Sequence, residues 1–250
     1  MIFASDLDRT LIFSERYVPN KEDYLLVETS KSGYQSYILK ETFSLLSNVT
    51  HFVPVTTRNE SEWKRTLLYT ALRPRYAIVS NGEVVLEDGV ASTEWATYLQ
   101  EELAHISLED IVPVASDILN PVRLAEPRIC SEYMVMFKVL NAPQTAEYRL
   151  LCSHLLDSAW TATANGNKIY VMPKVVTKES ALRFVQQQLD NLPVFGAGDS
   201  IMDLGIISSF QGGAFLRHAD SILPRQPQEI ETQDASASLA LLQLYQTFTT

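Results

Sequence analysis

Short apolar runs recur along this chain, separated by longer stretches in which apolar residues return every three or four positions. The runs at 2–5, 52–55, 76–79, 168–172, 194–197 and 213–216 have the length of buried parallel strands. Between them the pattern is helical. Ala181, Leu182, Val185 and Leu189 form one stripe behind a Thr177 cap, which predicts a helix over 179–189. A second helix is predicted over 59–72. This alternation points to an α/β fold with a doubly wound, Rossmann-like parallel sheet. Pro54 lies inside one run and removes a ladder donor, yet the flanking residues still read as strand.

The pattern changes after Asn81-Gly82. Residues 83–86, followed by Glu87-Asp88-Gly89, carry hairpin chemistry rather than a crossover helix. Beyond them the expectations are a helix over 94–105, a strand over 131–140 and a helix over 145–158. The turn Asn165-Gly166-Asn167 would then lead back to the first sheet. The chain thus divides into a core built from 1–81 and 168–250 and an inserted α+β module at 82–167. Residues 224–234, rich in Gln and Glu, read as a surface loop before a last amphipathic helix through Leu239, Leu242 and Tyr245.

Composition narrows the function classes. With 46% hydrophobic residues, 9 Gly and 11 Pro, the chain can bury a large core. No apolar run approaches the roughly 20 residues of a membrane span, and residues 1–5 lack the basic start of a signal peptide. A cytoplasmic chain with no membrane partner is expected. The 2 cysteines, Cys130 and Cys152, form no metal-ligand spacing and read as reduced thiols. None of His51, His105, His154 and His218 has a spacing partner, so packing or surface roles are expected. A net charge of -10 repels phosphate backbones, which argues against nucleic acid as a partner. A small anionic substrate is compatible with it if the site is locally positive. Oligomeric state has no signature in the chain.

Candidate chemistry gathers at strand tips and helix starts. Asp6 and Asp8 follow the first run; an unpaired buried carboxylate costs several kcal/mol, so two at a strand tip point to a cation or to catalysis, with turn and cap chemistry as the equal alternative. Thr56-Thr57-Arg58 offers hydroxyls and backbone donors for phosphate oxygens, or simply a helix cap. Lys178 stands at a helix start, where the macrodipole favours anions; a bound anion would explain it, as would plain solvation. Gly198-Asp199-Ser200-Ile201-Met202-Asp203 brings further carboxylates to a strand end, a donor set that suits a hard cation such as Mg2+ or else another cap.

In that order these four segments resemble the motifs of the haloacid dehalogenase-like (HAD) superfamily, and Val176-Thr177-Lys178-Glu179-Ser180-Ala181-Leu182 is similar to the Cof-type and sucrose-phosphatase group with a C2-type cap. The resemblance implies a Mg2+-dependent phosphatase acting on a small phosphorylated substrate. Asp6 would be the nucleophile and Asp8 the general acid and base. Thr56, with Thr57 beside it, and Lys178 would bind the phosphoryl oxygens. Asp6, the Asp8 carbonyl and Asp199 would hold Mg2+, with Asp203 as ligand or support. Arg9 and Thr57 stand where glycine is common in the family, and Met202 where asparagine is. A phosphomutase and a phosphate-binding regulatory protein are the alternatives. Arg123, Arg128, Lys138 and Lys168, in or beside the insertion, could meet an anionic leaving group but are expected to be solvated.

Overall fold

The computed structural model describes residues 1–30, 33–122, 126–140, 146–221 and 223–249. They form two compact units, Met1–Trp95 with Lys178–Thr250, and Ala96–Thr177. The first holds a 5-stranded parallel sheet in the spatial order Glu229–Thr232, Gly212–His218, Val194–Gly198, Ile2–Ser5, Phe52–Pro54. Register explains its two faces. Phe3 pairs with Phe195 and Phe52 on one face, and there the Tyr245 ring of helix Ala237–Thr247 lies 4.8 Å from the Phe3 ring. The neighbouring register sets Ala4, Gly196 and Gly213 on the other face. A Cβ at Gly196 would run into the Ile206 carbonyl, so helix Leu204–Ser208 rests directly on the strands. Helices on both faces make the fold an α/β, doubly wound, Rossmann-like one.

Pro54 is tolerated because its strand ends the ladder. Val55 N–H bonds Ser5 O at 2.8 Å, and strand Tyr76–Val79 joins only afterwards, through Thr56 N–H to Ile78 O at 2.9 Å. Tyr76–Val79 then pairs antiparallel with Val84–Glu87, so this hairpin belongs to the first unit. The unit boundary accordingly falls after Trp95 rather than at 82.

Several elements differ from the sequence expectation. Lys168–Pro173 is not a core strand. It pairs antiparallel with Trp160–Asn165 and Val135–Lys138 in the inserted unit, because the tight turn at Gly166, φ 56°, joins hairpin neighbours instead of leading to a crossover. The second boundary therefore falls at Thr177 rather than at 167. The stretch 59–72 splits into helices Glu60–Lys64 and Leu67–Leu72, since the Thr66 side chain accepts the Tyr69 N–H at 3.2 Å and starts a new helix. Glu229–Thr232 is an edge strand within the expected loop. Its charged alternation is what a sheet edge carries. The antiparallel sheet of Phe13–Ser14, Tyr24–Thr29 and Gln35–Leu39, and helix Leu108–Leu119, carried no clear signal.

The inserted unit has its own core, with Ile111, Ala115 and Leu119 packed against Val135, Phe137, Leu151, Ile169 and Val171. Its third helix, expected over 145–158, is Ala146–His154; Thr145 lies outside the described residues. Among the described residues neither Cys130 nor Cys152 is in a disulfide. Among the described residues no helix is long and apolar enough to cross a membrane.

Candidate active site

Asp6 sits at the carboxyl end of Ile2–Ser5, between two neighbouring parallel strands. Its N–H bonds Ala197 O at 2.9 Å, extending the ladder by one residue. The chain then turns sharply, with Leu7 O accepting from the N–H groups of Thr10, Leu11 and Ile12 at 3.1, 2.9 and 2.9 Å. Lys178, the first residue of helix Lys178–Gln188, is buried with 1% exposure. Its Nζ donates to Asp6 Oδ1 and to Asp203 Oδ1, both at 2.6 Å. The other Asp203 oxygen accepts from the backbone N–H groups of Asp199 and Ser200 at 3.2 and 2.9 Å and from Ser200 Oγ at 2.7 Å. A Cβ at Gly198 would collide with the Asp203 side chain, so glycine is what lets this carboxylate fold back beneath the strand end. Asp203 therefore holds both the loop and Lys178 in place.

Burial sets the electrostatics. Asp6, 6% exposed, has its carboxyl raised to about 7, chiefly by desolvation, with Lys178 opposing and Asp203 and Asp8 adding to the rise. Asp199 is pushed well above the usual carboxylate range by burial first and then by Asp6 and Asp203. Burial works against the charge of Lys178, but Asp203 and Asp6 outweigh it and hold the ammonium above its ordinary value. Asp6, Asp199 and Asp203 each present an oxygen within 4.8 Å of the others. Mutually repelling buried carboxylates, all hard oxygen donors, fit a divalent cation such as Mg2+. Asp203 accepts four hydrogen bonds over its two oxygens, whereas Asp6 takes one from Lys178 and a longer one, 3.4 Å, from the Thr10 hydroxyl.

Asp8 points another way. Its side chain is 50% exposed and is held in bidentate fashion by Arg58, with Nε to Oδ2 at 2.6 Å and the second contact at 2.7 Å. Arg58 also donates to Glu28, which in turn accepts from Arg65 Nε at 2.5 Å. Desolvation opposes the Arg58 charge, yet Asp8 and Glu28 hold it above its ordinary value. Thr56 is fully buried, its hydroxyl oxygen accepting the Arg58 N–H at 3.1 Å, which leaves its own hydrogen free to donate. Thr57 is exposed.

The structure thus gathers Asp6, Lys178, Asp199 and Asp203, and sets Asp8 against Arg58. Sequence reasoning singled out neither Glu28 nor Asp220, and it took Arg58 only as part of the segment Thr56-Thr57-Arg58. Arg58 could be suspected from its place two residues after Thr56, and Glu28 from being a lone acid in the strand Tyr24–Thr29. His218 was expected in a packing or surface role; its Nε2 lies 2.8 Å from Arg9 O and 3.7 Å from Asp199 Oδ2, which only the parallel register of Gly212–His218 brings about. Arg128, Lys138 and Lys168 are exposed, and Arg123 lies outside the described residues.

No protein-family model and no curated protein matches the sequence. Solved structures do match. A sucrose-phosphatase from Synechocystis sp., in complex with sucrose and phosphate, is 15% identical, with a TM-score of 0.66 and 98% of each chain covered. A haloacid dehalogenase-like hydrolase from B. subtilis is 13% identical, with a TM-score of 0.54 over 86% of this chain and 89% of that one. The chain has the HAD-like fold. An Aspergillus fumigatus trehalose-6-phosphate phosphatase is similar too, at 12% identity and a TM-score of 0.56, covering 98% of this chain and 92% of that one. At these identities it is the HAD fold that is shared. The chemistry has to be argued from the site.

Proposed function

We propose that this chain is a Mg2+-dependent phosphatase that hydrolyses a small phosphorylated metabolite, such as a sugar phosphate, through an aspartyl-phosphate on Asp6. The observation that carries this reading is the buried lysine shared by Asp6 and Asp203, with Asp199 beside them. Such an ensemble is costly as mere structure, since ion pairs this deep lose much of their Coulomb gain to desolvation. The sucrose-phosphatase and trehalose-6-phosphate phosphatase that share the fold support a phosphorylated sugar as the substrate class.

In this reading an Asp6 oxygen attacks phosphorus, the bond to the leaving oxygen breaks, and Asp8 gives that oxygen a proton. Water then attacks the phosphorus of the acyl-phosphate. Asp8 takes the water's proton, inorganic phosphate leaves, and the Asp6 carboxylate is restored. Lys178 and the Thr56 hydroxyl bind the phosphoryl oxygens as charge shifts onto them, with the exposed Thr57 at the rim. Asp6, the Asp8 carbonyl and Asp199 would hold Mg2+, whose charge offsets the repulsion between carboxylate and phosphate, while Asp203 keeps Lys178 in place.

One observation favours a second reading. Asp8 can carry a proton only after its bidentate contact with Arg58 opens, and a chain in which that contact never opens would bind phosphate without turning it over. A phosphate-release screen with Mg2+ over sugar, glycerate and nucleotide phosphates, with Asp6→Asn as the blank, separates the two. Release by the wild type and none by the variant is expected. Binding without release across the whole panel would establish the regulatory reading instead.

A further inference from the structure

Arg9 occupies a left-handed backbone position, with φ 65°. Glycine is at ease there and a long side chain is not. The guanidinium that this strain installs is tightly held. It donates to both oxygens of Asp220, at 2.5 and 3.2 Å, while the Arg9 carbonyl accepts from His218 Nε2 at 2.8 Å. Between these anchors the Arg9 Nε lies 3.5 Å from Asp199 Oδ2. That Nε is buried and makes no hydrogen bond. A charged donor is thus fixed at ion-pair distance from a carboxylate that faces Asp6 and Asp203.

We propose that Arg9 is a tethered counter-cation for Asp199, which competes with a divalent cation for that carboxylate and so sets the metal affinity of this chain, with Asp220 as the charge that tempers it. The proposal rests on reading Asp6 and Asp199 as holders of the metal. Its logic is one of charge. Removing Arg9 leaves Asp199 and Asp220 both uncompensated and strengthens the hold on a dication. Neutralising Asp220 releases the full Arg9 charge onto Asp199 and weakens it. Neutralising both returns the site near its starting balance. One elementary charge a few ångströms away in a partly solvated cleft changes such an affinity by about tenfold.

The test is calorimetric titration of the intact protein with Mg2+, in wild type, Arg9→Gly, Asp220→Asn and the double variant, with thermal melts alongside. Arg9→Gly is compatible with the local φ, so it is expected to fold. Expected are about tenfold tighter binding in Arg9→Gly, about tenfold weaker in Asp220→Asn and near-wild-type binding in the double variant, while Arg9→Lys keeps the wild-type affinity within about threefold. Equal Mg2+ affinity in wild type and Arg9→Gly, with only the melting temperature altered, would overturn the proposal and leave the phosphatase reading untouched. So would a loss of inorganic-phosphate binding in Arg9→Gly at unchanged Mg2+ affinity, which would make Arg9 a phosphate ligand. Failure of wild type and Arg9→Gly alike to bind Mg2+ would sink both this proposal and the metal dependence. The expected affinity series without phosphate release in the substrate screen would uphold the proposal and reject the phosphatase.

Discussion

At the scale of single residues, the site is a set of charges whose protonation is tied to folding. The Asp6 carboxyl is raised from 3.8 to about 7 in the folded chain, so its contribution to stability is complete below the lower value and is lost as pH rises through the upper one. His218 slopes the other way. Burial, and then Arg9, lower its imidazole from 6.5 to about 4, so the neutral ring contributes fully above the higher value, and that contribution is lost as pH falls through the lower one. Removing Asp6 takes away one of the two raised carboxyls, Asp6 and Asp199, whose slopes oppose that of the histidine. Asp6→Asn is therefore expected to gain stability over the wild type as pH rises from about 4 to about 7, as measured by urea unfolding in metal-free buffer. Arg58 invites a different test. Its truncation to Ala leaves Glu28, 9% exposed, with Arg65 alone and frees Asp8; a loss of about 1–3 kcal/mol in the same assay is expected. No change would show that the pair contributes nothing to the fold. Asp6 and Lys178 were legible in the sequence as candidates because one follows a strand tip and the other opens a helix. Asp220 and His218 were not, because nothing local marks an acid or an imidazole that finds its partner across a sheet, and for Arg58 the one hint was its place two residues after Thr56.

At the scale of elements, close approach decides the geometry. Gly196 lies under the backbone of helix Leu204–Ser208 and Gly198 under Asp203, so each added methyl meets atoms with little room to retreat. Gly196→Ala is expected to cost about 1–3 kcal/mol or more, read from the thermal midpoint. Gly198→Ala should also dislodge Asp203 and lower Mg2+ affinity, whereas Gly33→Ala, at a turn where a Cβ meets nothing within 4 Å, should leave that affinity unchanged. The strands Ile2–Ser5, Val194–Gly198 and Gly212–His218 were readable as apolar runs. The edge strand Glu229–Thr232 was hidden because a sheet edge takes charge on one face, which makes it look like a loop. Lys168–Pro173 looked like a core strand because apolar periodicity records burial, and burial is the same in either unit.

At the scale of the whole chain, two units each carry their own core. Mg2+ at a hundredfold excess over its Kd is expected to stabilise the folded chain by about 2.7 kcal/mol, with the gain absent in Asp199→Asn. In hydrogen exchange that protection should fall on the strand ends at Asp6 and Gly198. Phe137→Ala, which empties a fully buried position, should accelerate exchange within 96–177. Protection by Mg2+ confined to the inserted unit would contradict the assignment of the metal site.

By itself the sequence determined the α/β class, the insertion between two halves of a core, and the carboxylates and lysine at strand tips and a helix start. It could do so because strand length, helical periodicity and turn chemistry are local properties of the chain. Tertiary structure alone decided where the insertion begins and ends, that Asp203 supports Lys178, that Arg58 holds Asp8, and that Arg9 reaches Asp199. Each of these depends on which strands lie side by side and in what register. That is settled by the burial of the whole sheet and by no residue's neighbours in sequence.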